Sequence, residues 1–465
     1  MTFRKTIHFF KTIAYFNRFL GGDMSYPPFS VWEKNIKFSE IKKAWDVLEK
    51  ISFSHKDVCE RIGLYVHIPF CKTKCFYCNC ISFPELNKKR YDIYLQVLKK
   101  EISILNLSKA IKIDTLYIGG GTPSILSPRQ LKFLLDTLYQ SFNLIYCAQI
   151  MVEISPYTCS LEKIKILKAY NVNKVTIGVQ TLDPKVLKKM CRPQEEKEVF
   201  RCYHALRNAG IKYINIDLMV GLPGQTLNSF VITLKKILEL KPDTIHLNPF
   251  FPACFTPFYR LGNKLSEREI VTRQKMLEIG RKIIDEIYPF AFEKDELEKE
   301  NRQLFNSSKY NTSLLGIGWG AISHIRNFFH YGKGVSFDEY IASLLKKNEL
   351  PKLIGYKLSL EEEMRANIIQ AFEREQMLKI EDFERLFKKD PLKVFKKEFE
   401  ILFNLGKLKK ENGTIFLRVK NRIEPFIYSK FFYNPKVLQK LKKVLIPFQK
   451  RIKNIDKRIL EVYEI

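Results

Sequence analysis

The chain alternates short apolar runs with longer segments in which apolar residues recur at helical spacing. Six runs have the length and composition of buried strands, namely Leu64–His67, Thr115–Ile118, Gln149–Ile154, Lys174–Val179, Tyr213–Met219 and Thr244–Leu247. Segments such as Tyr91–Leu105 separate them, and apolar side chains at every third or fourth position there predict helices that cover a sheet. The pattern predicts an α/β fold in which parallel strands curl into a partial (βα)6 barrel, with functional groups at the carboxyl ends of the strands.

Beyond about residue 350 this alternation stops. Ser359 suits a helix N-cap, two further helices are expected near residues 380–388 and 391–405, and Asn412-Gly413 suits the turn of a hairpin. Three helices and a hairpin resemble a winged-helix unit, which leaves DNA binding open beside the preferred interpretation of a helical cap on the barrel. Residues 421–465 predict a basic helical tail.

Composition adds few constraints. The 465 residues, 46% of them hydrophobic, can build one large domain and one or two small ones. No run of about eighteen apolar residues predicts a membrane span, and residues 1–20 favour an amphipathic helix packed on the body over a targeting segment. The net charge of +29 would favour nucleic acid, an acidic membrane surface or a substrate with several carboxylates. Much of this charge lies in the C-terminal third, so it does not select a partner.

Four cysteines follow the first predicted strand. Cys71, Cys75, Cys78 and Cys80 have the spacing C-x3-C-x2-C-x-C, and such thiolates select zinc or iron–sulfur clusters. Structural zinc usually needs a second Cys/His pair, which is not evident here, so a [4Fe–4S] cluster with three protein ligands is favoured over a zinc knuckle. Ten cysteines in a chain of this length do not indicate a disulfide framework, and the cluster predicts a reducing compartment, the cytoplasm.

The C-x3-C-x2-C motif after a first strand resembles the radical S-adenosylmethionine (SAM) superfamily. The surrounding Tyr65-Val-His-Ile-Pro-Phe70 and the additional Cys80 resemble its oxygen-independent coproporphyrinogen III oxidase branch. The resemblance implies a [4Fe–4S] cluster on Cys71, Cys75 and Cys78, one or two molecules of SAM, and an electron donor such as flavodoxin or ferredoxin. It also implies that a radical derived from SAM removes hydrogen from propionates of coproporphyrinogen III, which lose CO2 and become the vinyl groups of protoporphyrinogen IX.

Further candidates lie at the ends of later strands. The glycines of Gly119-Gly-Gly-Thr-Pro123 would let the backbone approach a ligand and direct free N–H groups toward it. Glu153, at the end of an apolar strand, needs a cation or hydroxyls, so an ion pair with a lysine is its alternative role. The resemblance assigns SAM contacts to Tyr65, Gly120, Gly121, Thr122, Glu153, Gln180, Arg192 and Asp217, and a second SAM contact to Ile322. It places His67, Cys80 and Tyr26 on the catalytic or substrate side, although His67 could equally be a packed core histidine.

Three features depart from the family pattern. Asp23-Met-Ser-Tyr-Pro-Pro28 lacks the family's arginine, Asn248-Pro-Phe-Phe-Pro252 replaces Asn-Tyr-Ala, and the basic tail has no counterpart. Three alternatives therefore stay open: a related radical methyltransferase, including the type that opens haem, a non-catalytic haem chaperone, and a nucleic-acid-modifying enzyme. We divide the chain into an N-terminal extension covering the active site (1–60), the radical SAM core (61–350), the winged-helix-like domain (351–420) and the tail (421–465).

Overall fold

The computed structural model describes residues 3–19, 26–54, 61–287, 313–420 and 424–452. Three predicted segments extend beyond these ranges: the N-terminal extension at residues 1–2, 20–25 and 55–60, which include Asp23-Met-Ser25, the radical SAM core at residues 288–312, and the tail at residues 421–423 and 453–465.

The strands in chain order are β1 (Glu33–Ile36), β2 (Arg61–Ile68), β3 (Phe70–Cys71), β4 (Phe83–Pro84), β5 (Lys112–Gly120), β6 (Asn143–Ile154), β7 (Lys174–Gln180), β8 (Tyr213–Val220), β9 (Thr244–Pro249), β10 (Ser313–Ile317), β11 (Ile322–Ile325), β12 (Phe329–Lys333), β13 (Leu353–Lys357), β14 (Met377–Lys379), β15 (Leu408–Glu411) and β16 (Thr414–Leu417). The α-helices are α1 (Phe3–Phe19), α2 (Phe38–Ser54), α3 (Lys88–Leu105), α4 (Pro128–Ser141), α5 (Leu161–Ala169), α6 (Pro184–Lys189), α7 (Glu196–Asn208), α8 (Leu227–Glu239), α9 (Pro257–Arg260), α10 (Glu267–Ile287), α11 (Phe337–Ala342), α12 (Leu360–Glu375), α13 (Ile380–Phe387), α14 (Pro391–Val394), α15 (Lys396–Asn404), α16 (Glu424–Tyr428) and α17 (Pro435–Ile452).

Six parallel strands form the predicted partial barrel. They are β2, β5, β6, β7, β8 and β9, adjacent in that order, with helices in the connections between them. All six predicted strands and the helix over Tyr91–Leu105 are therefore confirmed. That helix begins at Lys88 because the Asn87 side chain caps it by accepting the Lys89 N–H, and it ends at Asn106 in the left-handed region. The carboxyl ends of the strands meet at one rim, where βα loops can assemble a site.

The sheet continues on the other side of β2, which the sequence analysis did not predict. Strand β10 pairs with β2 in parallel, and β11, β12, β13 and β1 follow as antiparallel strands. The main sheet thus has eleven strands among the described residues. Its far edge combines the N-terminal segment with β13, which lies just past the boundary expected at residue 350. The four-domain division stays a prediction.

A second hydrophobic core joins the two ends of the chain. Helix α1 packs there, with Phe10 and Ile13 buried against the C-terminal helices. The amphipathic helix expected at the N-terminus is thereby confirmed. The Ser359 cap is also confirmed, since its hydroxyl accepts the N–H of Glu362, and so is the hairpin, in which β15 and β16 turn at Asn412-Gly413. Within the described residues, no helix is both long and apolar enough to cross a bilayer.

Candidate active site

The four clustered cysteines lie around one cavity at the carboxyl rim of the barrel. Cys71 ends β3, which pairs with β4, and Cys75, Cys78 and Cys80 follow in the loop between these two strands. All four cysteines line a cavity of about 170 Å³. The loop folds back because β3 and β4 close it at both ends. The spacing seen in the sequence therefore becomes a convergent set of thiols.

The environment of these thiols favours metal binding. Cys71 and Cys75 are buried, and the Thr122 hydroxyl donates a hydrogen bond to Cys71 Sγ over 3.6 Å. Lys74 Nζ lies 3.5 Å from Cys78 Sγ. Hydrogen bonding with Cys80, together with the Lys74 ammonium, lowers the pKa of Cys78 to about 5 despite burial. Both interactions favour the thiolate form of Cys78, which is the form that binds metal.

The donor set fits a cluster better than a single ion. Among the described residues, no group of three His, Cys, Asp or Glu side chains is arranged around one metal ion. In a four-iron cluster each thiolate binds a different iron, so three ligands need not converge on one point. The assignment of Cys71, Cys75 and Cys78 as ligands stays a prediction that this geometry supports, and Cys80 lies beside Cys78 as a neighbour.

The glycine segment at the end of β5 forms the cavity wall nearest the cysteines. Gly120 adopts φ +113°, and a Cβ there would lie 2.8 Å from the His67 ring. A Cβ on Gly121 would lie 2.6 Å from the Phe70 carbonyl oxygen and 3.0 Å from Cys71 Sγ. Both positions therefore require glycine, because any side chain would displace the cysteine loop.

The prediction that this segment directs free N–H groups to a ligand is wrong. The Gly120 N–H donates to Glu153 Oε2 over 3.2 Å. The N–H groups of Gly121 and Thr122 donate to the carbonyls of Ile68 and Phe70 over 2.7 and 2.8 Å. The segment needs these bonds to stay attached to the first strand, so its donors are already engaged.

Glu153 borders the cavity without the lysine partner considered as an alternative. Its carboxylate accepts hydrogen bonds from the Tyr117 hydroxyl and the Gly120 N–H. Burial raises the pKa of Glu153 to about 7, the Tyr117 bond opposes this rise, and the nearby Asp217 carboxylate adds to it. The group is thus costly to ionise in the empty cavity and suited to meet a cationic ligand.

Gln180 and Arg192 line the same cavity, as predicted for cofactor contacts. Gln180 is the last residue of β7. Its backbone lies in the left-handed region with φ 71°, so the main chain changes direction at the rim. Arg192 is buried, donates to the Gly178 carbonyl, and lies 3.0 Å from the Tyr77 hydroxyl and 2.9 Å from Gln194 Oε1. These bonds fix the guanidinium, whose permanent charge suits a carboxylate ligand.

Asp217 projects from β8 into the cavity. Asn215 Nδ2 donates to Asp217 Oδ1 over 2.8 Å, and His246 Nδ1 lies 3.1 Å from the same oxygen. The second carboxylate oxygen has no hydrogen-bond partner among the described residues. The arrangement leaves an acceptor facing the cavity, as a contact to ribose hydroxyls would require.

Tyr65 and His67 lie behind the cavity wall. The Tyr65 hydroxyl is 2.9 Å from His67 Nδ1, and His67 Nε2 is 2.7 Å from the Ile81 carbonyl. The carbonyl can only accept, so Nε2 carries the proton and Nδ1 accepts from Tyr65. Burial lowers the pKa of His67 to about 4, which keeps the ring neutral. Both ring nitrogens are engaged, which favours a positioning role for His67 over direct substrate contact.

Besides Tyr65 and His67, two further predicted site residues do not reach the cavity. Tyr26 is buried in the second core, where its hydroxyl donates to Glu362 Oε2 over 2.5 Å and accepts the Asn434 N–H over 3.0 Å. The prediction that Tyr26 covers the active site is not supported, because these bonds fix it between the chain's two ends. Ile322 begins β11 opposite Gly332 and is also absent from the cavity wall.

The unusual Asn248–Pro252 stretch supports the cysteine loop from outside the cavity. Phe250 is fully buried, its ring meets that of Phe258 at 5.4 Å, and Arg273 donates to its carbonyl over 2.5 Å. Phe76 and Tyr77 of the cysteine loop pack on the same apolar cluster. This departure from the family pattern therefore contributes to holding the loop.

Sequence reasoning missed several residues of the site. Tyr117, Asn215, Tyr77 and Lys74 contact the predicted groups directly. One signal was available, because Asn215 precedes Asp217 by two positions on a strand and must share its face. Tyr117 could not be matched to Glu153 without knowing that β5 and β6 are neighbours.

The comparisons with known proteins agree with this geometry. A family model described as the radical SAM superfamily matches residues 65–237, from β2 into α8. The match defines the class of protein: one that binds a [4Fe–4S] cluster and SAM. The three cavity thiols, the glycine wall and the polar groups around it fit these cofactors.

Similarity to individual proteins identifies the family within this superfamily. The oxygen-independent coproporphyrinogen III oxidase of Pseudomonas aeruginosa is 30% identical over 386 residues, which cover 78% of this chain and 83% of the relative. The Escherichia coli protein of the same name is 32% identical over 282 residues, covering 57% of this chain and 61% of that protein. This chain belongs to the oxygen-independent coproporphyrinogen III oxidase family.

Two further comparisons bear on fold and function. The solved coproporphyrinogen III oxidase (HemN) of Escherichia coli superposes with a TM-score of 0.74 at 23% identity, covering 87% of this chain and 95% of that one. The haem chaperone HemW of Lactococcus lactis is 29% identical over 345 residues, covering 73% of this chain and 89% of the relative. The first supports the fold, and the second shows that the sequence similarity extends to a protein named as a haem chaperone.

Proposed function

We propose that this protein catalyses the oxygen-independent oxidative decarboxylation of coproporphyrinogen III to protoporphyrinogen IX. The observation that carries the proposal is the cavity in which Cys71, Cys75 and Cys78 face Glu153 and Asp217. When bound, the cluster and SAM supply a carbon-centred radical. Each of the two reacting propionates then gives up one hydrogen atom, CO2 and one electron to become a vinyl group, and the electron passes to an acceptor.

In this proposal the residues of the chain position the reactants. Glu153 accepts from the cationic amino group of SAM, Asp217 accepts from ribose hydroxyls, and Arg192 pairs with the carboxylate. Neutral His67 holds Tyr65 and Ile81 in place through its two hydrogen bonds.

A haem chaperone is the second candidate, because HemW of Lactococcus lactis is similar over most of its length. Two features of this chain favour the oxidase. By the family resemblance, Cys80 matches the oxidase branch, and residues 1–60 precede the first barrel strand. The oxygen-sensitive cluster keeps the cytoplasm as the proposed location.

The test is an anaerobic incubation of the reconstituted, reduced protein with SAM and coproporphyrinogen III, followed by mass spectrometry of the tetrapyrrole. The proposal expects two successive losses of CO2, each with two hydrogens. An added methyl group would instead indicate the radical methyltransferase. An unchanged porphyrinogen together with tight, stoichiometric haem binding would favour the chaperone. Arg192→Lys serves as a matched variant, because it keeps the charge but loses the bidentate geometry, so it should slow product formation.

A further inference from the structure

Three segments cover the side of the cysteine loop that faces away from the cavity. They are the loop itself (71–80), α6 with the turn after it (184–192), and residues 253–264. The Phe76 N–H donates to the Met190 carbonyl over 3.0 Å, and the Phe258 N–H donates to the Phe76 carbonyl over 2.9 Å. These bonds join the segments into one continuous surface, which we call the cluster-loop face.

The cluster-loop face is basic and carries no acidic residue. None of its three segments contains Asp or Glu, although the chain has 50 such residues among 465, so the net charge does not by itself explain their absence. Its exposed cations are Lys72, Lys185, Lys188, Lys189, Arg260 and Lys264. None of the first five forms a salt bridge within the described part of the chain.

An acidic residue next to this face already accepts hydrogen bonds from the main chain. Asp183 immediately precedes α6, and its carboxylate caps that helix by accepting the N–H groups of Lys185 and Val186. The lysine side chains therefore stay unneutralised on the surface.

An apolar centre accompanies these charges. Phe255 and Leu261 are 47% and 64% exposed, and both belong to the segment that hydrogen-bonds to the cysteine loop through Phe258. Exposed aromatic and aliphatic groups beside charged residues are typical of surfaces that bind proteins. The face thus has an apolar contact area with a cationic border.

The chemistry of the site requires a one-electron donor. In the proposed function SAM and substrate bind on the cavity side of the cysteine loop, so the outer side offers the short route to the cluster. We propose that the cluster-loop face docks an acidic one-electron carrier protein. The carrier is oxidised by one electron and the cluster is reduced by one, without a proton or a covalent bond. Opposite charges accelerate such encounters and leave the complex weak enough to dissociate. The proposal rests on the cofactors of the proposed function and not on its porphyrinogen substrate.

The test uses the full-length, cluster-loaded protein and a purified flavodoxin reduced to its hydroquinone. The variant is Lys185→Glu/Lys188→Glu/Lys189→Glu. The matched control is Lys389→Glu/Lys393→Glu/Lys397→Glu, which reverses three exposed charges, one in the connection before α14 and one each in α14 and α15. Anaerobic stopped-flow absorbance gives the second-order rate constant of cluster reduction. Photoreduced 5-deazariboflavin, which is uncharged, serves as a reductant that needs no docking.

We expect the α6 variant to react with flavodoxin about tenfold more slowly at low ionic strength, with a smaller difference at high salt. The control triple variant should react with flavodoxin at the wild-type rate, and the α6 variant should react with deazaflavin at the wild-type rate. Both variants should have the iron content of the wild type. An unchanged flavodoxin rate, an equal loss in the control triple, or an equal loss with deazaflavin would overturn the proposal. A reduced ferredoxin, also acidic, should show the same pattern.

Failure of the proposed function is distinguishable from failure of this docking surface. If coproporphyrinogen III is not converted but the α6 variant reacts selectively more slowly with flavodoxin, the docking proposal stands alone. If coproporphyrinogen III is converted with deazaflavin as reductant and the flavodoxin rate is the same for wild type and the α6 variant, the docking proposal is wrong and the proposed function stands.

Discussion

The carboxylate of Glu153 should make the unloaded protein less stable as the pH rises. Its ordinary pKa of 4.5 increases to about 7 in the folded chain. Between these values the folded protein holds a proton that the unfolded chain has released. Because the native state then binds more protons, stability falls with increasing pH across this window and the full penalty is present above pH 7.

The size of the penalty follows from the two pKa values. At about 1.4 kcal/mol per pKa unit, the difference corresponds to about 3 kcal/mol. The carboxylate borders the open cavity and keeps some contact with solvent, so this value is an upper limit. Glu153→Gln has the same shape, its carbonyl can still accept from Tyr117, and it cannot ionise. We therefore expect it to stabilise the unloaded protein by about 1–3 kcal/mol at pH 8 and by much less at pH 5.

The assay is urea unfolding of the unloaded protein under anaerobic, reducing conditions at pH 5, 6.5 and 8. The informative quantity is the difference between wild type and Glu153→Gln at each pH, which cancels the contributions of other titrating groups. Glu162→Gln, on an exposed position of α5, is the control and should follow the wild type. If the free energies of unfolding of wild type and Glu153→Gln differ by the same amount at all three pH values, the reasoning is refuted.

Three further predictions concern the loop and the cofactor contacts. Gly121→Ala should lower iron incorporation and cost about 1–3 kcal/mol, because its Cβ would lie 2.6 Å from a main-chain oxygen, whereas Gly332→Ala, with 3.5 Å to its nearest atom, should load iron normally. Phe250→Ala should lower the free energy of unfolding by about 3–5 kcal/mol, measured by thermal or urea unfolding. Phe255→Ala, at a position that is 47% exposed, should have a small effect. Equal effects of the two variants would disprove the supporting role of Phe250. Asp217→Asn should weaken SAM binding about tenfold by calorimetry and leave the iron content intact; a loss of iron would show that this acid is structural.

The sequence predicted the parts of the fold that depend on periodicity. The six barrel strands and the helix before β5 were recognisable because buried strands and covering helices differ in apolar spacing. The short strands β10 to β13 and β1 were not, since four or five residues carry little pattern and β10 depends on a partner about 250 residues away. Pairings between distant segments leave no local signal.

The candidate site, like the fold, could be predicted only in part. The cysteines, Glu153, Gln180, Arg192 and Asp217 lie at strand ends, so their meeting at one rim follows from parallel topology. The hydrogen bonds between these elements could not be derived, because they depend on strand order. For this reason the engaged amides of the glycine segment and the distant location of Tyr26 were not foreseen.

The most direct test of the account is the reductive cleavage of SAM. The anaerobically reconstituted protein should contain a [4Fe–4S] cluster and form 5′-deoxyadenosine and methionine when reduced in the presence of SAM. Cys71→Ala, Cys75→Ala and Cys78→Ala should each abolish both cluster and product, while Cys80→Ser should keep the cluster. A wild-type protein that is fully loaded with iron and sulfide, reduced, and yet forms no 5′-deoxyadenosine would contradict the account.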